Sequence, residues 1–289
     1  MGSENNFHEI KTLSLTVKII VLFAITLSVF LTIELTTGND MNNLFNITIH
    51  ILLIILIIRS LKKHHISIKS VIGSLSIQKH PWLQLISMKI FLFIFSTLSI
   101  VAILYVIGLV DSTFYRDILL EENSEIIDIN RMIVTLVIGI TLVPIMEELF
   151  FRGFLLNKWG ERIGVTKAVM LSSLVFGILH FDSGFIGSFV SGIFYSFVYI
   201  KSKTLLVPII LHSFHNLLAL SLEFIPDGGT PINYEDIPQS INEMQLVFSI
   251  GTLIFLILIP IVCYVLYRYN KGSLKVTPYQ NNKLNNVTS

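Results

Sequence analysis

Eight apolar runs dominate this chain and leave it few folds to choose from. They cover approximately Ile19–Thr36, Leu44–Ser60, Ile90–Val110, Met132–Leu156, Ala168–Phe181, Phe185–Ile200, Leu205–Leu222 and Leu246–Tyr267. A bilayer core is about 30 Å thick, and roughly 20 apolar residues cross it as a helix. Only 13% of the 289 residues are charged and 53% are hydrophobic. A soluble domain carries about 25% charged residues. The expected fold is therefore all-α: a polytopic membrane helix bundle of about eight transmembrane helices. The fifth and sixth runs are short and meet at an Asp-Ser-Gly turn, residues 182 to 184. A re-entrant pair is the alternative for those two.

The loops carry the orientation. Residues 59 to 89 hold Arg59, Lys62, Lys63, Lys69, Lys79 and Lys89 with no acid. The tail holds Arg268, Lys271, Lys275 and Lys283, again with no acid. Lys158, Arg162 and Lys167 mark a third basic loop, and Lys201 and Lys203 a fourth. Loops 111 to 130 and 223 to 243 are acidic instead. Lys and Arg stay on the cytoplasmic side. Eight spans then leave both termini inside, and every loop agrees. The first apolar run is long enough to span, so no cleaved signal peptide is expected. The single cysteine, Cys263, allows no intrachain disulfide and reads as a small apolar residue. Net charge is +1, and no nucleic-acid partner is expected. The abundance of Ile, Asn, Lys and Ser suggests a bacterial source and hence the cell membrane.

Against this apolar background a few polar residues stand out. The fourth run contains "EELFFR", residues 147 to 152. An ionisable group inside a membrane is costly unless paired or placed on a wet cavity, and it marks a candidate functional site. Glu148 and Arg152 are four apart, so they share a helix face and can pair. Glu147 is rotated about 100° from Glu148 and is left free to face another helix. Pro144 releases the carbonyl of Ile140, and a kink there would open space beside Glu147.

His180 follows Phe176 by one turn in the fifth run, which a short loop places antiparallel to the fourth. Glu147 and His180 can hold a water between them, and either can take its proton. His212 and Asn216 share a face of the seventh run and offer two donors suited to an oxyanion. His215 reads as a packing neighbour, and His50 in the second run likewise. Glu147 falls late in an inward-running helix and His212 early in an outward-running one. The site should therefore open toward the cytoplasm.

Glu-Glu-x-x-x-Arg, Phe-x-x-x-His and His-x-x-x-Asn occur in that order, each on its own membrane helix. This constellation resembles the CAAX prenyl protease and bacteriocin-processing family of glutamate intramembrane endopeptidases, also called CPBP or Abi. The resemblance covers roughly residues 131 to 222 and shows no departure at the motif positions. It implies that Glu147 and His180 activate water, that His212 and Asn216 stabilise the oxyanion, and that Glu148, Arg152 and Phe176 support them. It also implies no cofactor. The expected partners are membrane lipid and a membrane-associated peptide or protein substrate.

On this reading residues 1–130 hold the first three helices and an outer loop. Residues 131–222 form the catalytic core, and residues 223–289 add the last helix and a basic tail. Three alternatives stand beside it. Glu147, His180 and His212 can also be read as three zinc ligands with an open fourth position. The fold can serve as a non-catalytic membrane regulator or bacteriocin-immunity protein. Buried Glu and His can also relay protons in a transporter, although no inverted repeat supports that.

Overall fold

A computed structural model describes residues 7–77, 79–111, 113–120, 129–182, 184–223 and 237–287. A short turn, Phe7–Glu9, leads into α1 (Thr12–Thr37), α2 (Asn42–Lys63) and α3 (Ile68–Ile72). There follow α4 (Trp82–Val110), α5 (Phe114–Leu120), α6 (Ile129–Ile140) and α7 (Leu142–Glu148). A π-helical segment, Leu149–Leu156, continues directly into α8 (Asn157–Ile163). The chain ends with α9 (Val165–Leu179), α10 (Phe185–Ser202), α11 (Leu206–Glu223), α12 (Ile237–Asn270) and α13 (Pro278–Val287). Among the described residues there is no strand.

The protein is thus an all-helical polytopic membrane protein, and each of the eight apolar runs is helical. Among the described residues, six helical stretches are long and apolar enough to cross a bilayer. The other two, α9 and α11, are apolar but shorter. At 1.5 Å per residue, the 15 residues of α9 reach only about 22 Å. Three helices begin more than a full turn earlier than hydropathy suggests: α1 at Thr12, α4 at Trp82 and α12 at Ile237. One correction follows. Lys89 is not a loop charge; it lies two turns inside α4 and is fully buried. The acidic residues 121–128, loop 224–236 and Ser183 of the expected turn lie outside the described residues.

The fourth run is not one smooth helix. It breaks at Thr141, three residues before Pro144, and turns π-helical immediately after Glu148. Proline removes one N–H from the ladder, and an inserted residue widens the next turns. Both irregularities flank the two glutamates. Helices α9 and α10 form a close antiparallel pair through small residues. A Cβ on Gly192 would lie 3.0 Å from the Ser173 side chain, and one on Gly177 3.1 Å from the Phe185 carbonyl. Such pairs let membrane helices approach without a clash. Helix α11 packs against α4, α6, α7 and α10, whereas α1 leans on α2. Apolar residues along α1 and α12 remain exposed, as a lipid-facing surface requires.

The basic segments gather at one end. The Phe7 ring meets the Tyr279 ring edge-on at 5.0 Å, which places both ends of the described chain together. Lys158 on α8 donates to the carbonyls of Phe7 and Ile10. Asn157 accepts from the Tyr279 amide (3.1 Å) and donates to the Tyr199 hydroxyl (3.1 Å). That hydroxyl donates to the Val71 carbonyl (2.6 Å). The Asn282 amide donates to the carbonyls of Ser70 (3.0 Å) and Lys203 (2.8 Å). Gly73 permits the last approach: its φ is +76°, and a Cβ there would collide with the Lys203 carbonyl.

Candidate active site

The two adjacent glutamates at the end of α7 point to different neighbours. Glu148 is completely buried. Its Oε1 accepts from Arg152 Nη1 at 2.8 Å and lies 2.9 Å from His212 Nδ1. The second amino group of Arg152 donates to the Gly192 carbonyl of α10 at 3.0 Å. Its guanidinium also lies over the Phe176 ring, 4.7 Å from the centroid. The π-helical geometry does not separate Arg152 from Glu148; the two still pair across four residues. A buried charge left alone would cost several kcal/mol, so this web is what permits Glu148 to be there.

Glu147 faces the histidines. Its Oε1 is 3.6 Å from His180 Nε2 and its Oε2 is 3.6 Å from His212 Nε2. Only 12% of its side chain is exposed, against 26% for His180, so access to the cluster is through His180. His180 follows the last turn of α9, and its Nδ1 is 2.8 Å from the Phe176 carbonyl. Phe176 lines the floor, its ring 4.3 Å from His180 and 5.8 Å from His212.

The tautomers follow from these contacts. A carbonyl oxygen can only accept, so the proton between it and His180 sits on Nδ1. Glu148 Oε1 already accepts from Arg152, so the His212 proton likewise sits on Nδ1. Each neutral ring therefore presents a bare Nε2 lone pair toward Glu147. Three acceptors facing one another call for a donor between them, and water, with two protons, is one.

Asn216 is on the same face of α11 as His212, but its amide is committed in part: Nδ2 donates to the Gly139 carbonyl at 2.8 Å. That carbonyl belongs to the last turn of α6, where the break at Thr141 interrupts the ladder. One N–H of Asn216 remains for another partner. His215 turns away, its ring 5.4 Å from Phe93 on α4. His50 bonds back to the Asn46 carbonyl at 2.7 Å.

Two residues near the cluster carry no motif. Tyr195 of α10 is fully buried and stacks on His212, with centroids 4.9 Å apart and planes at 19°. Lys89 also lies over the Tyr195 ring, its Nζ 4.7 Å from the centroid, and donates to Ser191 Oγ at 3.0 Å. The signal for Lys89 was present as Pro81, a helix-starting residue that moves the beginning of α4 upstream of the lysine. Nothing in the apolar run of α10 marks Tyr195.

Residues 129–218 match the family of type II CAAX prenyl endopeptidases, Rce1-like. That segment contains all three motifs and the whole glutamate–histidine cluster. The family likeness is carried by this segment of the chain.

Two relatives agree with that likeness. YdiL of Bacillus subtilis strain 168, named provisionally as a membrane peptidase, is 28% identical over 131 residues, covering 45% of this chain and 51% of YdiL. The membrane-embedded CAAX protease MroQ of Staphylococcus aureus strain USA300 is 32% identical over 120 residues, covering 38% of this chain and 49% of MroQ. The chain thus spans about half the length of the curated relatives it matches. No solved structure matches it significantly.

The donor set also bears on zinc. Histidines with Nδ1 held by an acceptor and Nε2 presented are chemically suited to a metal. Yet among the described residues no three His, Cys, Asp or Glu side chains are disposed to hold a metal ion.

Proposed function

We propose that the protein is an intramembrane endopeptidase of the glutamate type that hydrolyses a peptide bond in a membrane-associated peptide or protein. The observation that carries this reading is the pair of bare Nε2 atoms held 3.6 Å from the two oxygens of Glu147. A water donating one proton to Glu147 and one to His180 would have its lone pair aimed at an incoming carbonyl carbon. As the water oxygen bonds to that carbon, one proton passes to Glu147 and the carbonyl becomes an oxyanion. The peptide C–N bond then breaks, and the proton returns to the leaving amine.

His212 fits the oxyanion role only in a restricted way. Its Nδ1 proton is held by Glu148, so its Nε2 donates only after gaining a proton itself. Glu148 would stabilise the imidazolium so formed. The remaining N–H of Asn216 is a donor at all times. The two residues thus supply one permanent and one conditional donor, a division the sequence does not disclose.

The substrate is a small membrane-associated peptide on this reading, reached from the cytoplasmic side. Glu147 is ten residues from Asn157 at the basic end, roughly 15 Å along the helix. His212 is six residues from the start of α11, roughly 9 Å from the same end. Both distances support a cluster between the bilayer midplane and the basic loops, the side that the positive-inside tendency assigns to the cytoplasm. Comparative peptidomics of cells carrying the wild-type chain or Glu147→Gln tests the proposal. Peptides produced only by the wild type are expected; identical peptide sets at equal protein abundance would refute it.

A further inference from the structure

One cavity lies away from the glutamates. It has a volume of about 670 Å³ and lies at the basic end, where α4 begins, α10 ends, α11 begins and α12 ends. Lys79, His80, Lys201 and Arg268 line it. No acid occurs in the segments that build this rim: residues 59–89, 196–212 and 268–289 contain no Asp or Glu. None of the three Lys and Arg side chains pairs with a carboxylate among the described residues. Three cations converge, then, on one volume without internal compensation. The smaller basic pocket beside α1 differs, since Glu9 shares it with its lysines.

The floor is of the opposite character. Leu85, Met88, Val198, Val207 and Val265 line it. Lys201 is held at the mouth by Tyr269, its Nζ 4.2 Å from the ring centroid. Tyr264 and Tyr267 on α12 remain 61% and 64% exposed beside it. Exposed tyrosines at the end of an apolar helix are typical of the headgroup layer. A basic rim, an apolar floor and headgroup depth describe one ligand chemistry: a phosphodiester with a hydrocarbon continuation.

We propose that this cavity binds the phosphate headgroup of an anionic phospholipid. A free phosphate shares the anionic chemistry but has nothing to place on the floor. Cations near an anionic lipid surface each favour it by about fivefold, so removing two should cost tenfold or more. The site is separate from Glu147, and its occupancy does not depend on peptidase activity.

The test uses the purified full chain in detergent, titrated with phosphatidylglycerol or phosphatidylcholine and read by native mass spectrometry. Wild type should retain phosphatidylglycerol about tenfold more tightly than phosphatidylcholine. Lys201→Gln with Arg268→Gln should erase that preference, and Lys201→Arg with Arg268→Lys should keep it. Lys62→Gln with Lys69→Gln removes the same charge from exposed residues outside the cavity and should change nothing. Lys79→Gln, at an exposed residue, gives a smaller loss if the double variant fails to purify as a single species. Equal retention of the two lipids by wild type, or an equal loss in the control variant, would overturn the proposal. So would displacement of phosphatidylglycerol by millimolar inorganic phosphate, which would make this a free-anion site.

Discussion

His212 Nδ1 and Glu148 Oε1 are 2.9 Å apart in the buried centre of the bundle, with His212 only 4% exposed and Glu148 not at all. This contact ties the structural ion pair to the histidine that faces Glu147. Glu148 therefore does two things with one oxygen: it neutralises Arg152, and it sets which nitrogen of His212 is bare. The two duties can be separated by experiment.

Glu148→Ala should lower both stability and activity. Removing one partner of a buried pair costs about 3–5 kcal/mol, because the other charge stays buried. Adding Arg152→Met removes that orphaned charge and should restore much of the thermal stability. It should not restore turnover, since His212 still lacks its Nδ1 acceptor. Thermal denaturation and peptide cleavage measured on the wild type and both variants form the check. Recovery of activity alongside stability would show that Glu148 serves only to hold Arg152.

Glu147→Gln should behave in the opposite way. Glu147 pairs with no Lys or Arg among the described residues, so the amide should leave folding close to wild type. Loss of a general base costs roughly 100- to 10,000-fold. A cleavage assay on a substrate found by peptidomics should show that loss at unchanged melting temperature. Wild-type turnover in Glu147→Gln would remove Glu147 from the chemistry.

Much of this site is legible in the sequence because ionisable residues are so rare in apolar runs. Glu147, Glu148 and Arg152 stand out on that ground alone, and helical spacing correctly separates the paired carboxylate from the free one. The convergence of His180 and His212 on Glu147 follows less directly, since it depends on which helices are neighbours. Tyr195 is invisible because a tyrosine in an apolar helix has no distinguishing spacing. Lys89 is hidden for a different reason: hydropathy starts the helix after the lysine, while the backbone starts it after Pro81. The tautomer of His212 lies beyond the sequence altogether. It depends on an oxygen shared with Arg152, which only coordinates reveal.

Lys89 yields a prediction of its own. It lies within electrostatic reach of Glu148 and Arg152, and it completes a balance of two acids, Glu147 and Glu148, with two cations. Lys89→Met keeps the length of the stem and removes the charge, so the protein should fold. The loss of balance and of the contact over Tyr195 should reduce turnover about thirtyfold or less, a desolvated cation–π contact being worth ~2 kcal/mol. Lys89→Ala should in addition lower thermal stability by about 2–5 kcal/mol, since it leaves a cavity. Unchanged kinetics in Lys89→Met would show that the lysine only fills space.

Topology can be checked without any substrate. In a Cys263→Ala background, Asn39→Cys lies in the exposed turn between α1 and α2, and His65→Cys lies in the exposed turn after α2. A membrane-impermeant thiol reagent applied to intact cells should label position 39 and spare position 65 until the membrane is broken. The reverse pattern would place the basic end outside and overturn the cytoplasmic opening of the site.

The last prediction separates hydrogen bonding from metal ligation. If Asn216 only donates to the oxyanion, Asn216→Ala should retain measurable activity, reduced roughly 100- to 1000-fold. The variant also frees the Gly139 carbonyl, so its melting temperature must be recorded beside the rate. If His212 gains and returns a proton, His212→Ala should be slower still, and purified enzyme should keep its turnover after exhaustive chelation. A metal site would behave differently: His212→Ala would lose metal and activity together, and added zinc would reverse chelation of the wild type. Metal analysis of active, purified protein decides between them. About one zinc per chain, required for turnover, would replace the glutamate mechanism with a metallopeptidase in which Glu147, His180 and His212 are ligands.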